Sequence, residues 1–217
     1  MPYSDFTLEK IQERFGINNW LQPLFGEITP VEASARLTAD LDETHEMLLG
    51  SERRSLNGRP SPWIVVPVLK EVKRRNNPSL TIHSGENLDA DVSAGLNGDG
   101  WPAPADRLPR DFILAKDTRS YSINFPVVQV VEAKKQDFDI GTPQCAAQLI
   151  GADLFNKKRG VVLDKIYGCV TTGVNWQFLV YESNTIYIDP KQYALTDVDQ
   201  ILGVFQYIVD YYKTTLD

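Results

Sequence analysis

Only two cysteines and two histidines occur in 217 residues. Cys145 and Cys169 stand in apolar surroundings and are too few for a disulfide framework or a zinc site of sulfur ligands. They read as small buried hydrophobes. His45 and His83 lie far in sequence from other ligand types, which argues against zinc. No apolar run approaches the ~20 residues of a membrane span. Residues 1–15 alternate polar and apolar types without the apolar stretch of a signal peptide. A cytoplasmic protein with no membrane partner is therefore expected. Positive charge is also scarce: 22 Lys and Arg against 29 Asp and Glu give −7 and a pI near 4.9. That balance disfavours indiscriminate nucleic-acid binding, which needs clustered cations against phosphate. What the chain has in quantity is apolar. Hydrophobic residues make up 42% of it and aromatics 10%, enough to build a core and to exclude disorder throughout.

The length suits one domain of ordinary size, or one with a terminal helical extension. Residues 1–50 read as a polar helical extension, with Phe6, Leu8, Ile11, Phe15 and Ile17 at loosely helical intervals. Residues 51–217 read as the main domain. A stretch of basic and small residues, Ser51 to Ser61, leads into Pro62 to Val72. This segment reads as a helix kinked at Pro67, although Ile64 to Val68 would equally suit a short buried strand. Lys73-Arg74-Arg75 suits the negative end of a helix, and Pro78 stops the run. Strands are expected at Leu80–His83, Phe112–Ala115 and Val127–Val131. Gly95 to Pro104 is turn and loop. Thr142 and Pro143 suit the start of a helix that reaches Asn156, with Gly160 as its stop. Ile166–Val170 and Trp176–Tyr181 read as a hairpin-like pair, and Thr185–Ile188 as a last short strand. A terminal helix then carries Val198, Ile201, Leu202, Phe205, Ile208, Val209 and Tyr212 on one apolar face. That face is also a surface on which a homodimer could form. The order helix, three strands, helix, strands, helix implies an α/β or α+β domain with a central mixed sheet.

Three charged residues stand at strand ends. Glu132 and Lys134 close an apolar strand, and a period of two puts both on one face, with Ala133 on the other. Charges at such positions need partners. Asp111 opens the neighbouring apolar strand. Adjacent strands lie ~4.8 Å apart, so Asp111 and Glu132 can come near enough to share one divalent cation. Two carboxylates with waters and a backbone carbonyl make a hard oxygen site suited to Mg2+. Asp99 and Asp106 are rival carboxylates. Asp99 is disfavoured because Gly100 and Pro102 would break a strand begun at Gly98.

Asp111, then Glu132-Ala133-Lys134, then a helix bearing Gln144 and Gln148, together resemble the PD-(D/E)XK nuclease-like superfamily. More narrowly, the chain resembles an uncharacterised bacterial group of that superfamily, often found in cyanobacteria. The stretches that carry the likeness span about residues 50 to 180. They are Ser51-Glu52, Val66 to Val72, Gly95-Leu96-Asn97-Gly98, Asp111 to Leu114, Val131 to Lys134, Gln144-Cys145 and Tyr167 to Gly173. Pro109 stands one position away from the literal Pro-Asp of the motif, and Asp99 to Arg110 looks like an insertion.

The resemblance implies a restriction-endonuclease-like central mixed sheet flanked by helices, and a metal-dependent nuclease acting on DNA in preference to RNA. It implies that Asp111 and Glu132 hold Mg2+ or Mn2+, with the Ala133 carbonyl as a further ligand. Lys134 would orient the attacking water or offset developing charge, and Gln144 and Gln148 would contact a metal-bound water or a phosphate. Members also use a glutamate from the first core helix, for which Glu71 comes first and Glu52 second.

Lys70 to Arg75 carries four cations against one Glu71, Lys157-Lys158-Arg159 adds three, and Lys134-Lys135 two. Each suits a solvated helix end, and together at the Asp111 and Glu132 edge they would make a phosphate-tracking surface. Trp63 and Trp176 are expected in the core. The acidic total favours an alternative, a non-catalytic module of the same fold that binds nucleic acid or protein.

Overall fold

A computed structural model of the protein describes residues 6–50, 62–84, 112–116, 127–133 and 138–216. At 48–50, 62, 84, 127–130, 132, 133 and 216 it describes the backbone alone. The elements run α1 (Leu8–Phe15), β1 (Asn18–Leu21), α2 (Ala35–Gly50), α3 (Pro62–Arg75), β2 (Leu80–Ser84), β3 (Phe112–Lys116) and β4 (Val127–Ala133). They continue with α4 (Phe138–Lys158), β5 (Lys165–Thr171), β6 (Asn175–Glu182), β7 (Thr185–Ala194) and α5 (Val198–Leu216). Together they make a mixed α/β protein: one seven-stranded mixed sheet, in the order β1-β7-β6-β5-β4-β3-β2, flanked by helices.

β2, β3 and β4 form an antiparallel meander, and α4 then carries the chain over to β5, which lies parallel to β4. Parallel pairing requires such a crossover, and a helix provides it. The segment before residue 50 is not helical throughout. Asn18–Leu21 joins the sheet as its edge strand, parallel to β7. Its four residues are too short for a period-two signal to emerge beside the helical spacing of α1.

The two sheet faces are told apart by their neighbours. A Cβ placed on Gly168 would lie 2.7 Å from the Cys145 sulfur and 3.0 Å from a Leu149 methyl, so α4 sits directly on this strand. The opposite face meets α5 and the segment 22–34. There Tyr167 packs edge-on against Tyr212 and Tyr211, and Trp176 and Phe178 pack against Phe205. Phe25 reaches the same cluster against Tyr167 and Phe178. The apolar face of α5 is thus buried on the sheet, with Ile201, Phe205 and Ile208 fully covered. It is not left exposed for a second copy of the chain.

α4 begins at Phe138, a turn before the start expected at Thr142 and Pro143. Phe138 packs against the core, and Pro143 lies inside the helix rather than at its start, where it forfeits the bond its missing N–H would have made. Every residue from Gly141 to Asp153 is buried. Such a helix, rich in Ala and Gly, lies inside the protein rather than on its surface. β7 runs past Ile188 to Ala194. Leu179 pairs with Ile188 and Gln177 with Gln192, so Asp189-Pro190-Lys191 bulges opposite Phe178. A bulge is where a strand tolerates proline.

Candidate functional site

Glu132 stands at the last-but-one position of β4, where its Cα pairs with Val170. Ala133 pairs with Thr171, and Val130 pairs with Gly168. Since Gly168 faces α4, the period of two assigns Val170 and the register position of Glu132 to the same face. Val170 in turn pairs with Gln177 of β6. One row across the α4 face therefore reads Glu132, Val170, Gln177. On the other side of β4, Phe112 pairs with Val131, and these two residues are the sequence neighbours of Asp111 and Glu132. Asp111, Lys134, Lys135, Glu52, Asp99, Asp106 and Trp101 lie outside the described residues. Among the described residues no group of three or more His, Cys, Asp or Glu gathers in a way that could hold a metal ion.

A hydrogen bond joins helix α4 to this row. The Thr142 hydroxyl donates to Gln177 Oε1 at 3.4 Å, and Gln177 Nε2 donates to the Asp189 carbonyl at 3.0 Å. The helical turn of about 100° per residue places Thr142 about 60° to one side of Cys145, and Gln148 and Gln144 about 60° and 100° to the other. Thr142 leans toward β6, so Gln144 and Gln148 occupy the flank nearer β4. Gln144 is only about 3 Å along the helix axis from the level of Thr142. Both glutamines are buried, at 6% and 7% exposure. The carbonyl oxygen of Gln144 has no hydrogen-bond partner among the described residues, although a buried acceptor left unpaired costs about 1–3 kcal/mol.

Glu71 has other occupants. Its side chain is buried in α3. The Ser34 hydroxyl donates to Oε2 at 2.9 Å, Arg75 Nε donates to Oε1 at 2.8 Å, and the Arg74 guanidinium also closes on Oε2. Burial alone would raise the carboxyl pKa. The hydrogen bonds from Ser34 and Arg75 and the charge of Arg74 outweigh it and hold Glu71 below the usual glutamate range. Ser34 also accepts from the Leu37 amide at 3.2 Å, which caps α2. The cluster thus braces α3 against the start of α2.

The basic clusters are partly occupied in the same way. Lys157 pairs with Asp153 at 2.7 Å, and the Arg159 guanidinium lies 3.5 Å above the Phe155 ring. Lys70 is exposed. Trp176 is fully buried, as expected, and its Nε1 donates to the Gly173 carbonyl. Trp63 is 66% exposed instead of buried, because Ile64, Val65 and Val68 already supply the core contacts of α3. Both cysteines are free and buried, and burial pushes the Cys169 thiol well above its ordinary pKa. Neither is poised as a nucleophile.

Gln177 gives no chemical signal of its own in the sequence, where it stands within the apolar run Trp176 to Tyr181. A lone amide inside a strand destined for burial is the one feature that points to it. Comparison of the chain with protein-family models, with curated proteins and with solved structures gives no match in any of the three.

Proposed function

We propose that the protein is a Mg2+-dependent phosphodiesterase of the PD-(D/E)XK type, with a restriction-endonuclease-like sheet, that cleaves DNA in preference to RNA. The observation that carries this reading is the Gln144 carbonyl oxygen. It is buried, without a partner among the described residues, on the flank of α4 nearer β4, close in level to the register position of Glu132. Buried acceptors are nearly always satisfied, and an orphan beside a candidate carboxylate fits a ligand that brings its own proton donors. A hydrated cation or a lysine ammonium is such a ligand. Carboxylate, amide and backbone carbonyl oxygens are also the donors that a hard divalent ion prefers.

In this reading Asp111 and Glu132 hold the cation, with the Ala133 carbonyl beside them. The bound ion supplies a water of lowered pKa and stabilises charge on the scissile phosphate. Lys134 orients the attacking water and offsets the developing negative charge. Gln144 accepts a hydrogen bond from water at the site, and Gln148, one turn on, faces the same side and contacts phosphate. Glu71 acts as a brace, its oxygens already being taken by Ser34, Arg74 and Arg75. The partner is nucleic acid, and the protein acts in the cytoplasm.

The test is incubation of the protein with linear and supercoiled DNA in Mg2+ or Mn2+, with EDTA as control, alongside Glu132→Ala and Lys134→Ala. Metal-dependent cleavage that disappears in both variants is expected. The −7 charge favours a second reading, a non-catalytic binding module on the same fold. DNA binding without cleavage under any metal would select it.

A further inference from the structure

We infer that the outer edge of β1 is a docking strand for a second copy of this chain, which pairs with it antiparallel about a twofold axis at Trp20. β1 ends the sheet, and β7 is its one partner there among the described residues. The direction of its backbone bonds follows from the register. Leu21 lies level with Ile188, and the Gln22 amide donates to the Ile188 carbonyl at 3.0 Å. Successive residues of a strand turn their N–H and C=O alternately to its two sides. Asn18, Trp20 and Gln22 therefore bond toward β7, and Asn19 and Leu21 turn theirs outward, as at any sheet edge.

The surroundings of those groups are open and apolar. Trp20 is 61% exposed and Leu21 72%. Being consecutive, they stand on opposite faces of the sheet, so apolar surface flanks the edge on both. Edge strands are ordinarily protected from pairing by charge, a bulge or proline. Residues 15–26 carry no charge, in a chain that is 24% charged. β1 pairs with β7 without a break in register, and Pro23 falls after the strand has ended at Leu21.

This edge is complementary to itself. When two β1 strands meet antiparallel with Trp20 opposite Trp20, Asn19 of each copy faces Leu21 of the other. These are the residues whose backbone groups point outward, so each such pair exchanges both of its N–H···O bonds. Every outward N–H and C=O of both strands is then used. The tryptophans fall at the intervening position, where Cα atoms come to ~4.5 Å and side chains are closest, and aromatic pairs across strands are favourable. A register two residues later sets Asn19 against Pro23, which has no N–H. One two residues earlier sets Leu21 against Ile17, which is buried and precedes the strand. Charge and closure also select a second copy. The −7 total opposes self-association wherever acidic groups meet, and the uncharged run removes that repulsion at this edge. Pairing of β1 with β1 closes after one step, whereas pairing with a different edge would propagate. A strand of four residues buries less than the ~1,600 Å2 of a standard interface, so the dimer is weak and its population follows concentration.

The experiment follows the mass of the full chain by sedimentation equilibrium from about 1 μM to 1 mM, together with cross-linking through introduced thiols. Wild type should rise from 24.5 kDa toward the mass of a dimer. Asn19→Pro removes an outward N–H but no apolar side chain, and it leaves the bonds to β7 in place. It should weaken association about 10-fold. Trp20→Lys sets like charges opposite each other and should weaken it at least as much. Trp20→Cys should cross-link to a dimer under mild oxidation, because the Cα separation at that position suits a disulfide. Asn19→Cys should not, since its two copies are offset along the strands and lie more than ~7 Å apart. Cys145 and Cys169 are buried and do not contribute. Circular dichroism identifies the folded variants, and if Asn19→Pro does not fold, Trp20→Lys and the cysteine variants decide. A wild type that stays monomeric at about 1 mM overturns the proposal, and so does a dimer that either folded variant leaves unchanged. Equal cross-linking of Trp20→Cys and Asn19→Cys overturns it as well.

Discussion

Gly168 lies directly beneath Cys145, so near that a Cβ on the glycine would come within 2.7 Å of the sulfur. The contact sets the spacing between α4 and the sheet, and with it the reach of Gln144. Gly168→Ala forces overpacking of the kind that costs about 1–3 kcal/mol. Urea unfolding should show that loss. Adding Cys145→Ala should recover part of it, with Leu149 accounting for the remainder. Equal stability of Gly168→Ala and wild type would mean that α4 can lift without penalty.

Gly203 of α5 makes the corresponding approach on the other face. A Cβ there would meet the Thr29 carbonyl oxygen at 2.5 Å, and backbone gives way less readily than a side chain. The segment is also tied down by the Asp199 carboxylate, which accepts the Ala33 amide at 2.8 Å. Gly203→Ala should cost about 2–3 kcal/mol and speed proteolysis within residues 22–34 more than elsewhere. Limited proteolysis followed by mass spectrometry reads both the rate and the site.

The Glu71 cluster predicts a pH dependence with a definite sign. The folded-state pKa lies below the ordinary glutamate value of 4.5, so folding favours the ionised form. The associated stability is fully present above about 4.5 and is lost as pH falls through the lower folded value. Glu71→Gln should therefore be less stable than wild type at pH 7, by about 1–3 kcal/mol given its half-exposed arginine partners. The gap should narrow on acidification below about pH 4.5. Chemical denaturation at pH 7 and at successively lower pH measures it, and a gap that widens toward acid would contradict the assignment.

Strong periodic signals translate directly from sequence into fold. The apolar face of α5 and the β5–β6 pair follow from side-chain spacing. Sequence and structure part where burial hides period. α4 is buried on nearly every side, so its start carries no amphipathic boundary, and Pro143 imitates the first turn of a helix that begins earlier. β1 is four residues long, below the length at which alternation stands out. The bulge at Asp189–Lys191 interrupts β7 and disguises its second half. Of the candidate site, the position of Glu132 in β4 and the glutamine pair on α4 are legible in the sequence, while Asp111 and Lys134 lie outside the described residues. Gln177 is not legible, because its two hydrogen bonds, from the Thr142 hydroxyl and to the Asp189 carbonyl, join elements distant in sequence. Glu71 is legible as a glutamate on the expected helix, but its bonds to Ser34, Arg74 and Arg75 depend on α2 packing beside α3.

Glu132 and Lys134 are assigned to one metal-dependent hydrolysis, and DNA cleavage by the two variants tests that assignment most directly. With Mg2+ present, wild type should cut DNA, and EDTA should stop it. Glu132→Ala and Lys134→Ala should each lose at least about 100-fold in rate while keeping the wild-type circular dichroism spectrum. Cleavage that continues at the wild-type rate in both folded variants would contradict the assignment.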